Sequence, residues 1–101
     1  MELNISYRHL ESSPSIEDKI HQKAFKLKKF FQGKMNVDWI CSVENTIHSS
    51  EVTVTGDHFS YHATAESDDL YKTFDEVIPK LEKQLVRKKE QTRNTIHKNA
   101  K

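Results

Sequence analysis

Glycine and cysteine are both scarce in this chain, and each scarcity removes a class of function. Two glycines in 101 residues leave no glycine-rich loop to cradle a phosphate, and no Ser/His/Asp or Cys/His order stands out for nucleophilic catalysis. The single cysteine, Cys41, excludes an intramolecular disulfide and a cysteine-based zinc site; it fits a reducing compartment and reads as a small buried hydrophobe. No run of 18 apolar residues is present, and Met1-Glu2-Leu3-Asn4-Ile5 lacks the basic flank and apolar stretch of a signal peptide. A cytoplasmic location is expected. Six histidines raise the question of a metal, but His58 and His62 on one strand would stand about 13 Å apart, too far to share an ion at ligand distances of about 2 Å. His9, His21, His48 and His97 have no partner spacing; for His48 a hydrogen bond within a turn is the expectation and an RNA contact the lesser alternative. Neither an enzyme nor a metal or cofactor site is expected.

What is present suits one soluble domain: 31% charged and 35% apolar residues over a length near the commonest domain size. The net charge of +1 hides a segregated distribution. Residues 1–18 carry one base and four acids, residues 19–34 six bases and no acid, residues 35–79 one base and nine acids, and residues 80–101 eight bases and two acids. Two basic blocks flanking an acidic middle form an electrostatic footprint that the total conceals.

Leu3, Ile5 and Tyr7 alternate with polar residues, the period of a half-buried strand. Ser12-Ser13-Pro14-Ser15 supplies turn residues, with Ser15 as candidate N-cap of a helix whose apolar positions Ile16, Ile20, Ala24, Leu27 and Phe31 form one stripe, ended by Gly33. Val37, Trp39, Cys41 and Val43 restore period two; residues 45–50 read as a turn, 51–55 as a third strand, Gly56-Asp57 as a hairpin connection, and Phe59, Tyr61, Ala63 and Ala65 as a fourth strand. Ser67 is the candidate cap of a second helix with a stripe of Leu70, Phe74, Val77, Ile78, Leu81 and Leu85, which Pro79 should kink or divide. The predicted fold is α+β, β-α-β-β-β-α, a four-stranded sheet with both helices on one face and the other face solvated. Residues 1–93 form the domain and residues 94–101 a short basic, disordered tail.

At about 100° per residue, Lys19, Lys26 and Lys29 fall away from the apolar stripe of the first helix, and Phe25 lies opposite the core. On the second helix Lys80, Lys83 and Arg87 form a stripe, extended by Lys88, Lys89 and Arg93. If the helices are neighbours, their outer faces make a continuous basic surface for phosphates, with Phe25 placed to stack on an unpaired base. Solvated lysine faces are common, yet a merely soluble helix would gain from interleaved acids, and residues 19–34 have none. The acidic residues Glu66, Asp68, Asp69, Asp75 and Glu76 read as helix capping and a solvated edge. A reading from a different class is a protein-interaction module that uses the open sheet face, with the lysines serving solubility.

The element order, together with Leu3-Asn4-Ile5, Phe25-x-Leu27-x-x-Phe30-Phe31, Val43-Glu44 followed by His48, and Ala63-x-Ala65-Glu66-x-x-Asp69-Leu70-Tyr71-x-x-x-Asp75 running into Lys80-Leu81-x-x-Gln84-Leu85, resembles the hibernation-promoting factor and ribosome-associated inhibitor family over residues 1 to about 93. The resemblance implies a fold similar to double-stranded-RNA-binding domains and a site on the small ribosomal subunit, in the channel of messenger and transfer RNA, where occupancy blocks translation in idle ribosomes of stressed or stationary-phase bacteria. It implies RNA contacts by Lys23 and Lys26 on the first helix and Lys80, Lys83, Arg87 and Lys89 on the second; Lys29, Lys88 and Phe25 complete the candidate set. Lys28, Lys29 and Pro79 depart from the family pattern. The length resembles the short form, which favours ribosome dimers together with a separate ribosome modulation factor; the related inhibitor stabilises monosomes and opposes dimers. The free chain is expected to be a monomer without membrane association.

Overall fold

The computed structural model describes the backbone of residues 1–31 and 33–99 and side chains as far as Arg87 within the last helix. Its elements are β1 (Glu2–Arg8), α1 (Pro14–Phe25), a 3-10 turn (Lys26–Phe30), β2 (Met35–Glu44), β3 (Ile47–Gly56), β4 (Phe59–Ser67) and α2 (Leu70–Asn99). The sheet runs in the order β1-β2-β3-β4, with β1 parallel to β2 and the rest antiparallel. This is the predicted architecture. The parallel pair follows from α1, which carries the chain back across the sheet before β2 begins.

Strand alternation decides which face is buried. Val37, Trp39 and Cys41 of β2, Val52 and Val54 of β3, and Ala63 and Ala65 of β4 are buried together with Ile20, Ala24 and Leu27 of the first helical segment. Phe74, Val77, Leu81 and Leu85 of α2 close the same core. Leu3, Ile5 and Tyr7 stand in register with Val37, Trp39 and Cys41 and pack against its margin, half-buried. The opposite face carries Asn4, Asp38, Thr53 and His62 in one cross-strand row, and is polar apart from Ile40 and the exposed Ile47. Burial pushes the Cys41 thiol up to about 12, which keeps it protonated and unreactive. Burial, with the Glu17 carboxylate beside it, likewise raises the Tyr7 phenol to about 12; its hydroxyl donates to Glu17 at 3.3 Å and ties α1 to β1.

Several boundaries differ from those predicted. Ser13, not Ser15, caps α1: its Oγ accepts from the Ile16 N–H at 3.2 Å, and Pro14 occupies the first helical turn, where its missing N–H costs nothing. The first helix does not continue to Gly33. It tightens at Lys26 into 3-10 geometry, in which Leu27 and Phe30 share a face, and Phe30 and Phe31 pack against the core. Asp69, not Ser67, caps α2, accepting from the Tyr71 N–H at 3.0 Å. Pro79 lies on the exposed side of a helix that runs through it undivided.

The turn predicted at residues 45–50 shrinks to Asn45-Thr46, and β3 starts at Ile47. His48 is therefore a strand residue paired with Val43 and Ser67, and its buried Nδ1 makes no hydrogen bond among the described residues. The second hairpin turns on Asp57-His58, one residue later than predicted; His58 takes the left-handed conformation (φ 67°), while Gly56 is needed because the Phe59 ring lies where its Cβ would be. The backbone of α2 extends through residues 94–99 of the predicted tail; residues 100 and 101 lie outside the described residues.

Candidate nucleic-acid interface

The packing of α2 on the sheet sends its charges to two different sides. Asp75 and Glu82 point to the first helical segment: Lys23 Nζ lies 2.5 Å from Asp75, and Lys29 Nζ 4.0 Å from Glu82. The Lys23 ammonium beside Asp75, helped by Lys19 and Lys26, holds its carboxyl below the usual carboxylate range. Lys80, Lys83, Gln84 and Arg87 instead face the outer edge of β4. With His62, Ala63 and Thr64 they line a groove of about 400 Å³ between that strand and α2. The continuous basic surface predicted for the outer helix faces is thus interrupted by carboxylates, and two separate cationic regions result.

On the first, Lys23 is largely covered and engaged by Asp75. Lys26 is exposed, and the Lys29 side chain is 68% exposed, with a long contact to Glu82 and its Nζ 5.2 Å from the Phe30 ring centroid. Phe25 is 64% exposed at the end of α1, opposite the core as predicted, with Lys28 Nζ 5.4 Å from its ring centroid. A flat apolar ring held among ammonium groups has the chemistry to stack on a base while neighbouring charges meet phosphates.

In the second region Lys80 Nζ donates to the Thr64 carbonyl at 2.7 Å, and Gln84 Nε2 to the His62 carbonyl at 3.2 Å. These bonds cover the backbone edge of β4, so Lys80 has a structural partner that its sequence position did not disclose. Lys83 and Arg87 are exposed on the groove and have no ion-pair partner among the described residues. Lys88 and Lys89 follow on α2, and their side chains lie outside the described residues. The predicted residues therefore divide into free cations (Lys26, Lys83, Arg87, with Lys29 nearly so) and tethered ones (Lys23, Lys80). Among the described residues no group of three or more His, Cys, Asp or Glu side chains is arranged to hold a metal ion.

Solved structures share this architecture. The N-terminal domain of Thermus thermophilus Protein Y superposes with a TM-score of 0.82 at 24% identity, covering 86% of this chain and 98% of that one. A ribosomal subunit interface protein from Coxiella burnetii gives 0.80 at 25% identity, covering 89% and 99%. In sequence, the chain is 32% identical over 90 residues to a ribosome hibernation promoting factor of Salmonella typhimurium, covering 89% of this chain and 95% of the relative. It is 29% identical over 96 residues to the Pseudomonas putida protein of the same name, covering 95% and 94%. The model of the Sigma 54 modulation protein / S30EA ribosomal protein family matches residues 3–93, and with it all of the sheet but Glu2 and most of α2; the chain belongs to that family.

Proposed function

We propose that this chain is a ribosome hibernation factor of the bacterial cytoplasm, a binding protein that occupies RNA of the small ribosomal subunit in the messenger and transfer RNA channel and so silences idle ribosomes. The observation that carries this reading is the groove between β4 and α2, where Lys83 and Arg87 are exposed and without an ion-pair partner among the described residues, beside two β4 carbonyls already engaged by Lys80 and Gln84. Cations without intramolecular partners lose no internal salt bridge when they meet phosphates. Lys26, Lys29 and Phe25 supply a second contact across the helices, and Lys88 and Lys89 follow Arg87 in the sequence of α2. Family membership and the names of the relatives support the ribosome as the partner. In this reading the chain promotes ribosome dimers together with a modulation factor, as the short form of the family does.

The test is sedimentation of purified protein with ribosomal subunits across a salt series. Salt-sensitive co-migration with the small subunit is expected, lost in a Lys83→Glu/Arg87→Glu variant of unchanged fold. Appearance of a ribosome dimer peak on adding the modulation factor supports the promoter role, and persistence of monosomes supports the inhibitor role instead. Absence of association at low salt, or full binding by the charge-reversed variant, overturns the groove as the RNA site and leaves the open sheet face as a protein-interaction surface.

A further inference from the structure

The sheet has two outer edges, and the structure covers only one. Along β4, Lys80 and Gln84 occupy the outward carbonyls of Thr64 and His62. Along β1, the side-chain hydrogen bonds of the strand are Asn4 to Asp38 and Tyr7 to Glu17, both directed into the chain's own fold, and no side chain among the described residues caps the outward backbone. An open edge is ordinarily blunted by charged side chains, lysine above all, by a proline, a bulge or a very short strand. β1 has charges only at its two ends, Glu2 and Arg8, and no lysine, proline or bulge: seven consecutive residues pair with β2 without interruption.

The residue order along this edge is self-complementary. Glu2 and Arg8 stand at its two ends, on the open face of the sheet, exposed and without an ion-pair partner among the described residues. Antiparallel pairing of two copies about a two-fold axis through Ile5 sets Glu2 opposite Arg8 of the second copy, twice. The same register brings Leu3 against Tyr7 and Ile5 against Ile5, so the half-buried apolar row at the margin of the core gains cover on its open flank.

We propose that β1 is a self-association edge whose occupant is a second copy of this chain, joined antiparallel in that register to make one continuous eight-stranded sheet. In dilute solution the chain is the monomer its sequence suggests; the dimer forms as concentration rises. The groove between β4 and α2 lies at the far edge of each sheet and stays open, so the dimer presents two of them.

Sedimentation equilibrium of the full chain from micromolar to millimolar concentration tests this, with circular dichroism to verify the fold of each variant. The wild-type chain should show a reversible monomer–dimer equilibrium. Glu2→Arg and Arg8→Glu, both at exposed positions, should each weaken it roughly tenfold, because two pairs per dimer swing from attraction to repulsion. An equimolar mixture of the two variants should recover the dimer, since each mixed pair again sets unlike charges opposite one another. A chain that stays monomeric throughout, a dimer that neither reversal weakens, or a mixture that fails to recover overturns the proposal. Ribosome binding does not enter these readouts, so the RNA reading can fail while this one holds.

Discussion

Between the indole of Trp39 and the first turn of α2 runs a chain of three buried hydrogen bonds. Trp39 Nε1 donates to Ser50 Oγ at 3.1 Å, Ser50 meets Thr73 Oγ1 at 2.7 Å, and Thr73 donates to the Leu70 carbonyl at 2.5 Å. Because the one hydroxyl hydrogen of Thr73 goes to Leu70, Ser50 donates to Thr73 and accepts from Trp39, and every member is satisfied. The chain joins β2, β3 and α2 inside an otherwise apolar core, and Ser50 and Thr73 are fully buried. Ser50→Ala should therefore cost about 1–3 kcal/mol in urea denaturation, more than deleting an exposed hydroxyl, since it strands the indole N–H without an acceptor. Nothing in the alternation of hydrophobic residues marks this. Ser50 sits where a polar residue suggested a turn, and only its register opposite Cys41 and Ala65 shows that it faces inward.

At the scale of elements, α2 carries different chemistry on its two flanks. Asp75 and Glu82 bind it to the lysines of the first helical segment, while Lys80 and Gln84, four residues apart, reach two carbonyls of β4 that are two residues apart. Lys80→Met and Lys83→Met remove the same charge from neighbouring positions, but only the first uncovers a strand edge. Lys80→Met should lower stability by about 0.5–1.5 kcal/mol and increase aggregation on heating, whereas Lys83→Met should leave the melting curve unchanged and weaken ribosome binding. Periodicity was enough to read the elements and the buried stripe of α2, because apolar spacing reports directly on which face meets the sheet. It could not read caps or partners. Ser13, Ser15 and Ser67 are alike in sequence, and Ser13 is selected because Pro14 can open a helix but not continue one. Lys23 and Lys80 looked like the other basic residues because an ion pair with Asp75 and a bond to Thr64 are made by elements distant in the chain.

For the whole molecule, the quantity that decides the proposed RNA binding is how many cations are free to displace counterions from RNA. Binding that neutralises phosphates weakens with salt in proportion to the number of contacts, and each lysine or arginine that meets a phosphate adds about one to the slope of log affinity against log salt. A basic helix face counted from sequence gives every lysine equal weight. The folded chain does not: Lys83 and Arg87 have no acidic partner among the described residues, while Lys23 is 18% exposed and already neutralised by Asp75. Replacing Lys83 and Arg87 together by Met should therefore reduce the salt slope of ribosome binding by about two. Lys23→Met should leave the slope nearly unchanged and instead loosen the packing of α1 on α2. The contrast separates charge available to a partner from charge spent inside the fold, and an equal loss of slope in both variants would mean that Lys23 leaves Asp75 for phosphate when RNA arrives.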